Sequence, residues 1–397
     1  MISKPLLREI NSLSKKLKGL KVIHVNSTPR GGGVAEVLKN LVPLMKGSGI
    51  ETDWHTIPPR EEFFEVTKQI HNALQGKKNH FSKAFERRYL DYTKEMSILV
   101  KNMKADIWVL HDPQPAGLVD SLDSCLKISR IHIDTSSPDP LVWDFIKSFL
   151  IRFDKIIFSA KDFSGKRIPL KKVVVFPPAI NPFTDKNNPI SPAAADNIME
   201  GLGINPKKPL IVQVARFDPF KDPIGVIRAY KYAKKKIPNL QLILAGLFLA
   251  HDDPEAKRVL KEVKKEARGD KDIFLFSDPM LLGSLRVDRF VNACQVAADV
   301  VIQKSTKEGF GLSVAEAMWK AKPVIGGRAG GIKLQIKDGQ NGFLVSSEKQ
   351  AARRIVQLFE SKKLREKLGK EAKKTVKKNF LLPRLLRDYL KLFTILR

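Results

Sequence analysis

The chain has 397 residues, 43% of them apolar, which gives room for two or three domains with full cores and excludes a mainly disordered polymer. Two cysteines exclude a disulfide framework, and no apolar run is long enough to span a bilayer. Lysine and arginine outnumber the acids 71 to 42, a formal net charge of +29 that favours phosphate substrates, nucleic acid or anionic lipid as partners.

Residues 1–8 carry neither a signal-peptide core nor a cleavage site, so the expected location is the cytoplasm. Short β-branched runs then alternate with longer helical patterns, as in parallel α/β sheets. Strands are predicted at 21–25, 52–57, 107–110, 128–133, 155–158 and 173–176, with helices at 34–45, 61–74 and 84–101. The first strand runs into Val25-Asn26-Ser27-Thr28-Pro29-Arg30-Gly31-Gly32-Gly33-Val34-Ala35-Glu36. Its glycines either make a tight turn or let backbone amides approach a phosphate or sugar. The spacing is neither G-x-G-x-x-G nor a P-loop, which argues against dinucleotide and NTPase sites. His71 and Asn72 close helix 61–74, where capping or packing competes with ligand binding. His111-Asp112-Pro113-Gln114-Pro115 and His132-Ile133-Asp134 each follow an apolar strand, at the ends where α/β sheets bind ligands. Histidine and aspartate there can hydrogen-bond sugar hydroxyls, and a histidine can position a reacting one. Neither piece has a metal-ligand spacing, so no metal is expected. Cys125 and Cys294 are expected as buried reduced thiols.

Proline and asparagine cluster over 177–209, an interdomain connector with one helix near 193–202. The alternation restarts with strands at 210–214, 241–245, 273–276, 300–303, 323–325 and 343–345. From 348 onward the pattern is helical, interrupted at 379–383. The expected architecture is α/β: two Rossmann-like doubly wound domains facing across a cleft, with a helical C-terminal tail. The first domain covers 1–190 with its connector running to about 206, the second covers 207–375, and a helix over 376–397 crosses back to the first. Lysine pairs are spread along the chain beside helices, densest over 362–378, and read as a solvated polar surface.

Arg216-Phe217-Asp218-Pro219-Phe220-Lys221 follows the first strand of the second half. A rigid guanidinium fork and a mobile ammonium at a strand end suit a diphosphate, although both can also be ordinary surface cations. Glu308-Gly309-Phe310-Gly311-Leu312-Ser313-Val314-Ala315-Glu316 sets two acids eight positions apart at the mouth and in the first turns of a helix. That spacing puts them on roughly one face near a helix N-terminus, where free N–H groups and the dipole attract anions. Carboxylates there can read hydroxyls while the backbone holds phosphate, which suits a nucleotide sugar.

Together these residues resemble the retaining family-4 glycosyltransferases of the GT-B fold, in which Glu308 with Glu316 matches the paired-glutamate motif and Arg216 with Lys221 the phosphate-binding pair. A closer resemblance is to the archaeal and bacterial trehalose synthases, from about residue 21 to the end. It is carried by the Val25–Glu36 string, His71-Asn72-Ala73-Leu74-Gln75-Gly76, the two histidine strings above, Arg216-Phe217-Asp218-Pro219, His251-Asp252-Asp253-Pro254-Glu255 and Glu308-Gly309-Phe310-Gly311. One departure is Phe220-Lys221-Asp222, where the group has Trp-Lys-Gly; it sets an acid beside the phosphate cation. The resemblance implies retaining, metal-independent transfer of glucose from a nucleoside diphosphate glucose, ADP- or UDP-glucose, to glucose, with no cofactor. It implies catalytic roles for His132, Arg216, Lys221 and Glu308. The nucleotide sugar would meet Gly32, Gly33, Arg216, Lys221, Glu308, Gly309, Phe310, Gly311, Leu312 and Glu316, and the acceptor sugar His71, Asn72, His111, Asp112, Gln114, His132 and Asp134. The implied partners are small sugars and nucleotide, with no specific nucleic acid and no membrane; a homodimer stays open. The alternatives are a GT-B transferase for a glycan or lipid acceptor, a trehalose phosphorylase, and a basic nucleic-acid-binding protein.

Overall fold

The computed structural model describes residues 3–30, 32–58, 60–78, 81–122, 126–165, 168–246 and 254–397. The chain divides into two compact units, Met1–Ala179 with Leu382–Arg397, and Ile180–Leu381.

The first unit runs α1 (Lys4–Lys16), β1 (Lys21–Asn26), α2 (Gly33–Gly47), β2 (Glu51–Thr56), α3 (Glu61–Leu74), α4 (Lys83–Lys101), β3 (Ile107–His111), β4 (Leu126–Ile131), α5 (Pro140–Leu150), β5 (Lys155–Phe158) and β6 (Val173–Val175). All six strands are parallel, in the order β2-β1-β3-β4-β5-β6. Strand β3, Ile107-Trp108-Val109-Leu110-His111, is buried throughout, as a central parallel strand covered on both faces must be. Its register sets Val109 opposite His24 and His111 opposite Arg130, so polar side chains from three strands share one face near their C-terminal ends.

The second unit runs α6 (Pro192–Gly201), β7 (Leu210–Val214), α7 (Pro223–Lys234), β8 (Gln241–Ala245), α8 (Pro254–Ala267), β9 (Ile273–Phe276), α9 (Val287–Ala297), β10 (Val300–Gln303), α10 (Leu312–Trp319), β11 (Val324–Gly327), α11 (Gly330–Lys333), β12 (Phe343–Val345), α12 (Glu348–Glu360) and α13 (Lys362–Asn379). Its sheet is again parallel, in the order β12-β11-β10-β7-β8-β9. Separate apolar clusters flank it, one around Val212, Val301 and Val314, the other around Ile211, Tyr230 and Ile355.

The last helix, α14 (Leu382–Leu396), returns to the first unit and packs on α1 and α2. Arg384 fastens its start, donating to the carbonyls of Pro177 at 2.9 Å and Pro178 at 2.7 Å while pairing with Asp388 at 2.7 Å. Tyr389 then lies against Phe176. The expected interruption at 379–383 is shorter than the sequence implied, because Pro383 stands in the first turn of α14, where a missing N–H has no intrahelical partner to lose. The helical pattern after 348 also breaks once more, at Ser361, which leaves helical geometry and caps α13 by accepting from Leu364 N at 3.2 Å.

Cys294 is buried in α9, and burial pushes its thiol well up; Cys125 lies outside the described residues. Among the described residues no helix is long and apolar enough to cross a membrane.

Candidate active site

In the second unit, the loop after β10 gathers the acid and one of the cations. Gln303 donates to Ser305 Oγ at 3.0 Å, and Ser305 donates to Glu308 Oε2 at 3.2 Å. Lys221 Nζ reaches the same carboxylate oxygen at 2.6 Å. The lysine's own carbonyl is held by Gln213 Nε2, from β7, at 2.9 Å. Glu308 is therefore fixed by a hydroxyl and an ammonium, largely out of water, before any ligand arrives.

Two glycines permit this packing. A Cβ at Gly331 would stand 2.4 Å from both the N and Cα of Phe310, and one at Gly327 would stand 2.0 Å from the carbonyl oxygen of Ser305. Gly331 N donates to Glu308 O at 2.7 Å, so α11 is tied to the backbone of the acid. Gly311, at φ 85°, then turns the chain left-handed into α10. The helix begins at Leu312, so Glu308 lies in the loop and Glu316 alone of the pair is helical; they do not share a helical face as their spacing implied. Glu316 is buried, with Lys186 Nζ 3.8 Å away. The ring of Phe310 faces the core against Phe380, and Gln335 Nε2 holds the loop backbone by donating to the carbonyls of Phe310 at 2.5 Å and Gly311 at 3.2 Å.

Arg216, just beyond β7, is half-buried and takes part in no ion pair among the described residues. Asp222, the acid beside Lys221 in sequence, turns away from it. Its backbone is left-handed at φ 48°, and its side chain caps α7 by accepting from Gly225 N at 3.0 Å and pairs with Lys304. The expected acid next to the phosphate cation thus has a cation of its own.

In the first unit, Gly32 caps α2 with extended backbone, and a Cβ there would meet no protein atom within 4 Å. The fold itself does not demand glycine at this position. Gly33 opens the helix; Gly31 lies outside the described residues, as does the 251–253 part of the His251 string. His71 and Asn72 stand on the last turn of α3, with His71 Nδ1 3.1 Å from Gln75 Nε2. Gln114 Oε1 is a buried acceptor with no hydrogen-bond partner among the described residues. Asp134 Oδ1 accepts from Ser136 N at 3.0 Å.

Three histidines form a row across the sheet. His24 Nδ1 is 2.9 Å from His111 Nε2, and His111 Nδ1 is 2.9 Å from His132 Nε2. His111 was expected to meet a sugar; both its ring nitrogens are instead engaged by neighbouring histidines, and it is buried. Burial holds His24 down at about 3. Burial first, then the neighbouring His132 and His24 and the Arg130 charge, keep His111 well below the usual imidazole range, and burial with the Arg130 charge does the same for His132. Asp112, left-handed at φ 65°, accepts from His132 N at 2.7 Å, and burial raises its carboxyl to about 7. His24, Arg130, Ser305 and Lys186 were not singled out by sequence. His24 and Arg130 sit inside apolar strand runs, and Lys186 lies in the proline-rich connector.

The description "Trehalose synthase, N-terminal domain" matches residues 24–165 and "Glycosyl transferases group 1" matches residues 194–375. A trehalose synthase of Thermococcus litoralis is 41% identical over 388 residues, covering 97% of this chain and 93% of its own. This chain belongs to the trehalose synthase family. Its fold is GT-B: a solved trehalose-6-phosphate synthase aligns with a TM-score of 0.74 over 94% of this chain and 99% of that one, at 14% identity. The Anabaena protein HepE, solved in complex with UDP-glucose, aligns with a TM-score of 0.70 over 95% and 100% of the two chains, at 15% identity. As a family member the chain is a glycosyltransferase of trehalose metabolism.

Proposed function

We propose that this enzyme transfers glucose from a nucleoside diphosphate glucose, ADP- or UDP-glucose, to free glucose, forming trehalose with retention and without a metal or cofactor. The observation that carries the reading is the 2.6 Å contact of Lys221 with Glu308 in the loops after β7 and β10, with the half-buried guanidinium of Arg216, in no ion pair among the described residues, just beyond β7. A diphosphate entering there would draw Lys221 from Glu308, freeing the carboxylate to accept from donor-sugar hydroxyls. Arg216, Lys221 and the first N–H groups of α10 would stabilise charge on the departing diphosphate. Glu316 would take the ribose. Gly32 and Gly33 would bring backbone against the donor, and His132, Asp134, Gln114, His71 and Asn72 are the polar groups offered to sugar hydroxyls.

In the transfer itself the bond from the glucose anomeric carbon to the phosphate oxygen breaks, and its electron pair goes to the diphosphate. The acceptor hydroxyl oxygen bonds to the same carbon from the same face, and its proton passes to the departing phosphate oxygen. The reaction is reversible in this scheme, since every step can run backward with trehalose and nucleoside diphosphate as substrates.

The test mixes purified protein with ADP-, UDP- and GDP-glucose and free glucose in chelator, and reads the disaccharide and its linkage by NMR. An α,α-linked product with release of nucleoside diphosphate is expected. No product from any donor overturns the reading, and cleavage of trehalose that needs inorganic phosphate makes the enzyme a phosphorylase instead.

A further inference from the structure

Within the first unit, the three histidines hydrogen-bond side by side, and each nitrogen-to-nitrogen contact needs one proton between its partners. With all three rings neutral, His111 donates at one nitrogen and accepts at the other, so every N–H in the row points the same way. Fixing one ring's tautomer therefore fixes the other two. The row points either from His24 to His132, leaving His132 with a proton on Nδ1, or from His132 to His24, leaving Nδ1 bare.

Arg130 decides between them. It stands opposite His111 in the strand register, is buried and lies over the Phe176 ring at 4.7 Å. Arg130 lies on β4 two residues before His132 and on the same face, whereas His24 lies on β1, two strands away, so the cation is at the His132 end of the row. A cation favours the negative end of a chain of dipoles beside it. That end is the bare lone pair, which puts the N–H groups pointing toward His24.

We propose that His24 and His111 are positioning residues that hold His132 with its proton on Nε2 and its lone pair on Nδ1, so that His132 accepts a hydrogen bond from a sugar hydroxyl and does not donate one. The proposal rests on the reading above that His132 meets the sugar. The far end of the row, His24 Nε2, is buried and finds no hydrogen-bond partner among the described residues, and Tyr389 of α14 packs edge-on against that ring at 6.0 Å. The C-terminal helix thereby closes the row against water, whose entry would let His24 exchange tautomers freely.

The experiment uses the full chain labelled with 15N-histidine, each ring assigned by single substitution; the seven histidines keep the spectrum readable. His132 is expected to show a pyrrole-type Nε2 and a pyridine-type Nδ1 at neutral pH. The opposite tautomer, or a doubly protonated ring, overturns the proposal without any activity measurement. The variant His24→Phe, with folding checked by circular dichroism, is expected to mix the His132 tautomers and lower kcat about tenfold or more while leaving the donor KM within about twofold. His24→Asn places an oxygen where Nδ1 accepted and is expected to restore most of the rate and the single tautomer. A folded His24→Phe protein with unchanged His132 shifts and unchanged kcat overturns the proposal. If the Phe variant does not fold, the wild-type spectrum decides. A wild-type enzyme that makes no disaccharide overturns the functional reading, and the tautomer result then stands separately.

Discussion

Glu308 and Lys221 hold each other at 2.6 Å, and that contact sets what each substitution should do. Glu308→Gln keeps the shape and the contact to Ser305 but removes the charge. In the proposed site it should lower kcat about a hundredfold or more with little change in fold, read by steady-state kinetics and circular dichroism. Turnover near wild type would remove Glu308 from the chemistry. Lys221→Ala leaves a mostly buried carboxylate with only a hydroxyl beside it, so its first effect is on stability, costing about 1–3 kcal/mol by denaturant titration. Its second effect should be a raised KM for the donor; an unchanged KM would make Lys221 a structural cation. Asp222 makes the contrast. Because it serves Lys304 and the start of α7, Asp222→Asn should cost about 1–3 kcal/mol of stability yet leave donor KM within about twofold. A large KM change would show that the acid does act on the phosphate cation.

At the scale of elements, close glycine contacts help to shape the 305–311 loop of the second unit. Gly331→Ala would drive a methyl into the backbone of Phe310, which has no side-chain freedom with which to yield. The expected result is a loss of about 1–3 kcal/mol together with a fall in kcat/KM, because the 308–311 backbone must move; wild-type kinetics in that variant would mean that the loop's position is not critical. Sequence made the sheets legible. All twelve strands were expected within a few residues of where they lie, because buried parallel strands are short apolar runs bounded by turn residues. It did not reveal the break at Ser361, where a single serine between charged helical runs carries no glycine or proline signal. The acids and cations of the second unit were legible as motifs, but not that Lys221 reaches Glu308 or that Lys186 faces Glu316. The histidine row was hidden for a different reason. Periodicity within one strand says nothing of its neighbours, and only the order β1-β3-β4 with its register brings His24, His111 and His132 together.

For the whole molecule, the same row makes the first unit the acid-labile one. A histidine held below its unfolded value of about 6.5 refuses protons that the unfolded chain accepts, so its stabilisation is present above pH 6.5 and drains as pH falls toward the folded value, about 3 for His24. His111 and His132 are shifted the same way. Asp112 works against them: with its folded value raised to about 7, it binds a proton that the unfolded chain releases, and its contribution grows as pH falls from 7 toward 4. As pH falls below about 6.5 the unfolded chain therefore takes up protons at these three histidines that the fold resists, while Asp112 offsets part of that difference. Each net proton is worth a little over ~1 kcal/mol per pH unit, so the first unit should lose stability steadily on acidification. Among the described residues every histidine belongs to that unit, so the second serves as an internal reference for the general rise in positive charge. Hydrogen exchange read by mass spectrometry at pH 7, 6 and 5, corrected for intrinsic rates, should show protection falling first along β1, β3 and β4 while β7, β8 and β10 keep theirs. His24→Asn should remove one of these groups from the balance and flatten the fall. Equal loss in both units, or protection in the first that does not change down to pH 5, would mean that the row takes up a proton in the folded state, and with it the neutral, one-directional arrangement assigned to these histidines would be lost.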